Sequence, residues 1–535
     1  MSRLWRHQSA FVEVKPAKEQ GPKPAGSKAD TIHDVVVQSA DYARLHMSSR
    51  PFLLFSVGLL IFGSQFCVGI FDRSGVVLSP VHDMWEDIKL FIATVRSLAS
   101  VDSRDLGLDP SVRLLGDEDG LRLTGIDYPA HLIDPIGVDT TTRWCTVGPP
   151  LWSSISFIGR GTVVWRVRKY LGHKLSDEEF VMKTAWRSNK RDKESDIYTS
   201  IKGHCAGLSR LITGGDVHVL VEGKPERITV RYLRRESDDA QAETPILHRL
   251  ILSPVGRPLW DYRSDIELLQ GLISALDAHQ FLWKQQILHR DISAGNILLA
   301  EDPEDLGAAR FLNDIEFAHM PPNAELSSLE YIPPVTKYND NLRPVGITES
   351  ATRRRTTFET QRGAALTGTF QFMAIDVLEA AFAKRSVEHT PEHDVESFAW
   401  VLGYCISRKL YNRAYAIKKA GPEYTSMKAS FTEAFGSLSL RGILSSRRAA
   451  SPFSWCNETI SGPMEPFFRD HISEPLRRLL STLQSHVGQR LVKKQVEDQE
   501  LGLTSVPPFT HETLRKRVQT AIQQLQGDLS FSGIQ

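Results

Sequence analysis

The sequence predicts a mixed α+β chain, with a small β-rich part preceding a larger helical part. Three observations carry that expectation. Short β-like runs interrupted by glycine recur from Phe52 to Val255. From Ser264 onward, stretches with apolar residues every three or four positions dominate. Within that second part, Leu288-His289-Arg290-Asp291-Ile292-Ser293-Ala294-Gly295-Asn296-Ile297-Leu298-Leu299 reads as an apolar strand, a polar loop and another apolar strand.

Composition sets the outer bounds. The 535 residues suffice for two to four average domains with a large core. Lys plus Arg and Asp plus Glu both total 64, so no net charge argues for nucleic acid or an anionic membrane as a partner. Five cysteines (Cys67, Cys145, Cys205, Cys405, Cys456) are scattered without C-x-x-C spacing, which favours a reducing intracellular compartment, cytoplasmic or nuclear, and disfavours zinc. The Met1 end lacks the basic-then-apolar pattern of a secretion signal. Phe52 to Phe71 is about as long as a membrane span. Gln65 and the Gly63-Ser64 turn signal favour a buried hairpin over a membrane helix.

Taken in order, residues 1–30 are rich in Lys, Pro, Gly and Ala and are expected to be a disordered tail. A short helix is expected over Ala40 to Arg50, stopped by Pro51. The hairpin follows, then Phe71-Asp72-Arg73-Ser74-Gly75-Val76-Val77. Trp85 to Leu98 carries Ile88, Phe91, Ile92 and Val95 at helical spacing, which predicts a core-facing helix. Together 31–150 reads as an amino-terminal α/β extension.

From Trp152, Phe157 to Val167 reads as strand, glycine turn, strand. Gly159 and Gly161 would let backbone N–H groups approach phosphates without a Cβ in the way. A plain hairpin turn explains those two glycines equally well when they are taken alone. Phe180-Val181-Met182-Lys183 is a β-like run ending in a cation, and Glu194 follows on an expected helix with Ile197, Tyr198 and Ile201. Lys183 and Glu194 suit an oriented phosphate-binding pair or a solvated surface pair. Val217 to Arg231 reads as a hairpin turning at Gly223-Lys224-Pro225, and His248 to Val255 as a strand ending in a hinge. Ser264-Asp265-Ile266-Glu267 is a capping-box signature for the helix carrying Leu268, Leu269, Leu272, Ile273, Leu276 and Phe281.

The polar loop carries the chemistry. Asp291 and Asn296 stand five positions apart. Such a loop lets an aspartate accept the proton of an attacking hydroxyl while a nearby asparagine holds magnesium on the phosphates of ATP. A second metal-binding aspartate is available at Asp314, in Phe311-Leu312-Asn313-Asp314-Ile315-Glu316-Phe317-Ala318. Residues 319–367 are polar, contain prolines and carry Arg353-Arg354-Arg355-Thr356-Thr357, so a long irregular insertion is expected there. The arginines could pair with phosphate on Thr356 or Thr357, or simply form a solvated basic insertion. Asp394, in His393-Asp394-Val395-Glu396-Ser397-Phe398, opens an apolar helix through Trp400, Val401, Leu402 and Tyr404. The last helix, from Glu512 to Leu525, shows one apolar stripe.

These residues resemble the fungal-type protein kinase family, a divergent branch of the eukaryotic protein-kinase superfamily, from about Ala40 to about Leu410. The resemblance rests on Phe71 to Gly75, Arg160-Gly161-Thr162, Leu288 to Ile297, Asp314 to Ala318, Gly368 to Ala374 and His393 to Phe398. It implies a two-lobed protein-kinase-like fold: a β-rich lobe over 151–258 and a helical lobe over 259–480, with 319–367 as the activation segment. The residues 31–150 and 481–535 would be extensions. It also implies ATP, Mg2+ and a protein substrate with Ser or Thr hydroxyls, Thr369 favouring these over Tyr. Asp291 would be the loop base, Lys183 with Glu194 would align the phosphates, Gly159 and Gly161 would cover them, and Asn296 and Asp314 would hold metal. Asp394 would brace the loop, and Asp376 would stand in place of the family superfold's glutamate. Three departures bear on rate more than on nucleotide binding: Ser293 where a lysine is usual, Val164 and Glu316 where glycines are usual. A pseudokinase scaffold and a small-molecule kinase are the alternatives. Gly368 to Ala374 and Asp394 favour the protein kinase over the latter.

Overall fold

Alternation of β-branched and aromatic residues builds the first part of the chain. The computed structural model describes residues 9–22, 33–100, 106–137, 139–236, 243–301, 309–318, 370–419, 421–449, 451–454, 464–497 and 509–532, with four short strands between 329 and 354. The chain divides into two compact units, Met1–Thr199 with Arg210–Val255, and Ser200–Ser209 with Gly256–Gln535.

The first unit contains a five-stranded sheet of β1 (Phe11–Lys15), β2 (Ser56–Phe62), β3 (Gln65–Asp72), β4 (Gly75–Leu78) and β5 (His82–Asp83). Helix α1 (Asp34–Ser49) packs on it around Phe11, Val35, Ala43, Leu60, Phe62, Cys67 and Phe71. β2 and β3 form the expected hairpin, with Phe62 opposite Gln65 and Gly63 at φ +63° in the turn. No helix among the described residues is long and apolar enough to cross a membrane.

Three expectations fail here. Phe11–Lys15, placed in a disordered tail, pairs in parallel with β2, because Phe11 and Glu13 alternate inward and Phe11 fills the core. Helix α1 starts at Asp34 rather than Ala40, since Val35 already has a buried place. Helix α2 (Ile88–Ser100) does not face a core: Ile88, Ile92 and Val95 are exposed, and Phe91 packs on Phe66 at 5.1 Å between ring centroids. Periodicity specifies an apolar face but not what covers it.

This unit also contains an eight-stranded sheet. Its members are β6 (Val112–Leu114), β7 (His131–Ile133), β8 (Arg143–Thr146), β9 (Trp152–Ser153), β10 (Val163–Tyr170), β11 (Leu175–Ser188), β12 (Arg210–Asp216) and β15 (Pro245–Ser253). The order is β12-β15-β11-β10-β8-β7-β6, with β9 beside β10. Thus strands before and after residue 150 share one sheet. Trp144, Trp165, Val167, Phe180, Met182 and Ile251 lie in its core. Helix α3 (Asp117–Thr124), helix α4 (Glu194–Ser200), the hairpin β13 (His218–Val221) to β14 (Lys224–Arg227), and helix α5 (Val230–Arg234) complete the unit.

The second unit is mainly helical. A small sheet, β16 (Gly256–Pro258), β17 (Ile297–Ala300) and β18 (Arg310–Leu312), lies beside α6 (Asp265–Trp283). Ser264 caps α6 by accepting the Glu267 N–H at 3.2 Å. Glu267 receives the Arg263 N–H and Arg257 instead of closing the capping box. Within the segment expected to be irregular, β19 (Leu329–Ile332) pairs with β22 (Ala351–Arg354) and β20 (Thr336–Tyr338) with β21 (Pro344–Ile347). Arg355, Thr356, Thr357, Gly368 and Thr369 lie outside the described residues.

Helices α7 (Ile375–Phe382), α8 (Pro391–Ile417), α9 (Pro422–Phe435), α10 (Leu440–Arg448), α11 (Ser451–Ser454), α12 (Glu465–His471), α13 (Glu474–Glu497) and α14 (His511–Ser532) follow. Val395, Phe398, Ala399, Trp400, Val401 and Leu402 are all fully buried, so the first half of α8 is enclosed on every side, whereas its last turn, with Tyr415 and Ile417, is exposed. The apolar stripe of α14, with Leu514, Val518, Ala521 and Leu525 buried, packs against α6 and α13.

Candidate active site

In the first unit the glycine segment is shaped by the hairpin that precedes it. Phe157 and Ile158 are not in a strand; the strand that precedes β10 and pairs with its start is the short β9, so 154–162 is a loop. Gly159 has φ +100°, and a Cβ there would meet nothing within 4 Å, so that side of its α-carbon is open. Gly161 has φ +50°, and a Cβ there would meet the Arg73 guanidinium carbon at 2.3 Å. Only glycine fits both constraints at Gly161. Arg73 donates to the carbonyls of Ser156 at 2.7 Å and Phe157 at 3.3 Å, and its own carbonyl accepts the Gly159 N–H at 3.1 Å. Burial pushes the Arg73 guanidinium down to about 10. Asp72 beside it takes a two-pronged bond from Arg234 at 2.7 and 2.9 Å. Val164, where a third glycine is usual, is already a strand residue of β10, opposite Lys183.

Lys183 sits on β11, flanked on both sides by Val164 of β10 and Leu250 of β15. Its Nζ meets Glu194 Oε2 at 2.7 Å, and the two side chains are only 6% and 3% exposed. That burial excludes a solvated surface pair. Glu194 opens α4, where Ile197 and Tyr198 are buried and anchor the helix. An acid in the first helical turn also meets the favourable end of the helix dipole.

In the second unit the polar loop is held by bonds along its own backbone. Ile287 and Leu288 are buried but belong to no named strand, whereas β17 follows Asn296 as expected. His289 is fully buried; its Nε2 lies 3.2 Å from the Asn313 carbonyl and its Nδ1 accepts the Asp291 N–H at 3.3 Å. One neutral tautomer satisfies both contacts, and burial pushes the ring down despite the attraction of Asp394. Arg290 adopts φ +66°, a left-handed conformation that costs a non-glycine residue about 1 kcal/mol or more. Its N–H is bound by Asp394 Oδ2 at 2.9 Å, which secures the bend that presents Asp291.

Asn296 Nδ2 donates to the Asp291 carbonyl at 2.8 Å and approaches Asp291 Oδ2 at 3.4 Å. With its nitrogen so committed, Asn296 Oδ1 is the atom that could meet a cation. The Asn296 carbonyl accepts the Asn313 N–H at 2.8 Å, which ties the loop to the residue preceding Asp314. Asp314 is half-buried with φ +61°. Carboxylate oxygens of Asp314 and Glu316 lie within 4.8 Å of each other. Amide and carboxylate oxygens are hard ligands, so this donor set fits magnesium. Glu316, in place of glycine, thus adds an acid beside Asp314. Ser293 is buried in the loop.

The first unit therefore joins Lys183 with Glu194, and places Gly159 and Gly161 in the loop ahead of β10. The second unit joins Asp291 with Asn296, and connects Asp314 to them through Asn313. Sequence reasoning missed several supports. Nothing local marks Arg73 as the brace of a loop more than eighty residues downstream. Glu396 accepts the N–H groups of Ile375 at 2.8 Å and of the Trp400 indole at 3.2 Å, fixing the start of α7. Arg447 lies between Trp400 and Phe435, at 5.0 and 5.1 Å from their ring centroids, and donates to the Gln371 carbonyl. Burial pushes the Arg447 guanidinium down to about 9.

No curated protein matches the chain in sequence. Among solved structures, one titled "Structure of vaccinia related kinase 3" is similar at 12% identity and a TM-score of 0.36, covering 74% of this chain and 90% of that chain. A family model described as "Fungal protein kinase" matches residues 23–406, and the motifs set out above fall within that span. The chain belongs to the fungal protein kinase family.

Proposed function

We propose that this chain is an ATP-dependent protein kinase that moves the γ-phosphoryl group of ATP to Ser or Thr hydroxyls of a protein. The observation that most supports this is the fixed loop. Asn296 holds the Asp291 carbonyl, His289 accepts its N–H, and Asp394 binds the peptide before it. A carboxylate held this way can orient a hydroxyl and accept its proton. Lys183, oriented by Glu194, supplies a cation for the α- and β-phosphates, and the loop of Gly159 and Gly161, with no Cβ on the open side of Gly159, lets its backbone lie close to them. Asn296 and Asp314, with Glu316 beside them, would hold Mg2+, which when bound neutralises charge on the phosphates.

Ser293 favours a second reading, a pseudokinase scaffold that binds nucleotide or partners. A lysine at that position would place positive charge near the transferred group, and its loss slows transfer in a water-poor site. Phosphate transfer from labelled ATP to a generic protein substrate decides between the two. The kinase reading expects transfer by the purified chain and its collapse in Asp291→Asn, with nucleotide affinity kept. No transfer by the unaltered chain, with nucleotide binding intact, gives the scaffold reading.

A further inference from the structure

Around Asp394 the second unit contains a buried relay of histidines that the loop chemistry does not use. Asp394 Oδ2 accepts both the Arg290 N–H and His279 Nε2, each at 2.9 Å, and Oδ1 accepts His389 Nε2 at 3.0 Å. The opposite nitrogen of His279, Nδ1, meets His511 Nε2 at 2.7 Å, and the two rings stack with centroids 5.0 Å apart. His279 is fully buried and His511 nearly so. A neutral His279 that donates its Nε2–H to the carboxylate accepts at Nδ1, and His511 Nε2 is then the donor. One proton arrangement therefore satisfies the whole chain: His511 to His279, His279 to Asp394, Arg290 N–H to Asp394.

His511 is the first residue of α14. Thr510 and Thr513 exchange hydrogen bonds at 2.9 and 3.2 Å, fixing the start of that helix. Arg515, one turn on, pairs with Asp277 and Gln280 of α6. His511 lies 232 residues from His279 and beyond the span 23–406 matched by the family model. Burial, with His279 and Arg515 adding to it, pushes the His511 imidazole down to about 4, so the ring is a neutral donor near pH 7.

We infer that α14 is a working part of the catalytic loop's support, with His511 and His279 as positioning residues that hold Asp394, and through it the left-handed Arg290 peptide, so that Asp291 is presented correctly. The inference rests on the kinase reading for its effect on rate, but not for its effect on the loop. An apolar ring in place of His511 would preserve stacking and packing and remove only the donor. A glutamine would restore a donor close to the Nε2 position.

The test compares full-length His511→Phe and His511→Gln with the unaltered chain. Hydrogen exchange is read over residues 288–297, and steady-state transfer is read separately. In His511→Phe, loop amides should exchange about tenfold faster and kcat should fall about tenfold, the size expected for one buried hydrogen bond, with KM for ATP unchanged. His511→Gln should restore both. Unchanged loop exchange in folded His511→Phe overturns the inference, as does an equal loss in both variants, which would make the role one of packing. If His511→Phe does not fold, His511→Asn, whose amide is too short to reach His279, takes its place under the same criteria. Absence of transfer by the unaltered chain would sink the kinase reading alone, since exchange decides the coupling.

Discussion

Replacing Lys183 with Met keeps the length of the stem but removes the ammonium from a 2.7 Å contact with Glu194. Both side chains are at most 6% exposed, so solvent screens little of the change. Removing one partner of a buried pair costs about 3–5 kcal/mol, because the other charge stays buried. The position of Glu194 in the first turn of α4 offsets only about 0.5 kcal/mol of that. We therefore expect Lys183→Met to lose about 3 kcal/mol, and the double variant Lys183→Met with Glu194→Met to return within about 1 kcal/mol of the unaltered chain, since apolar replacement of both partners is often neutral.

Urea denaturation followed by tryptophan fluorescence at pH 7.5 measures both values. A second signature comes from acid. Without its lysine, a buried carboxylate binds a proton more tightly folded than unfolded, so the penalty in Lys183→Met should shrink as pH falls toward 5. The recovered double variant should nevertheless transfer no phosphate. A double variant as unstable as Lys183→Met would refute the argument from the buried pair. Transfer at an unaltered rate would refute the phosphate-aligning role of Lys183.

Asp314→Asn, which removes a charged oxygen from the magnesium donor set, should weaken Mg-ATP binding as well as transfer, whereas Asp291→Asn should keep binding; titration calorimetry distinguishes them. Gly161→Ala should raise KM for ATP about tenfold with a small change in melting temperature, because its φ of +50° and the Arg73 guanidinium both oppose a Cβ; an unchanged KM would remove this loop from the nucleotide site. The lowered folded-state value of His511 means that its contribution to stability is full above pH of about 6.5 and is lost as pH falls toward about 4. Urea midpoints at pH 7.5 and 4.5 should therefore differ less in His511→Gln than in the unaltered chain. Burial raises the Cys67 and Cys145 thiols to about 11, so both should resist iodoacetamide at pH 8 until the chain unfolds, as peptide mass mapping would record.

Much of the site's chemistry was legible because it is local in sequence. Asp291 and Asn296 belong to one loop between apolar runs, and the observed bond from Asn296 Nδ2 to the Asp291 carbonyl closes that same short segment. The Phe52 to Phe71 hairpin was likewise readable from Gln65 and the Gly63 turn. Lys183 and Glu194 were found as candidates, but whether they formed a buried pair or a solvated one depended on β10 and β15 enclosing β11.

Local spacing determines which groups a segment presents, since a few peptide units limit how far apart two side chains of one turn can lie. It carries no term for what later segments contribute. The exposed face of α2 has the same period as a buried one, and Phe11–Lys15 became a strand only because β2 offered an edge. By itself, the sequence determined the reactive groups of the loop and the segments that flank it. Only the tertiary structure decided that Arg73 supports the glycine loop, and that His511, 232 residues from His279, completes the bonds around Asp394, because desolvation and directional hydrogen bonding are settled by packing.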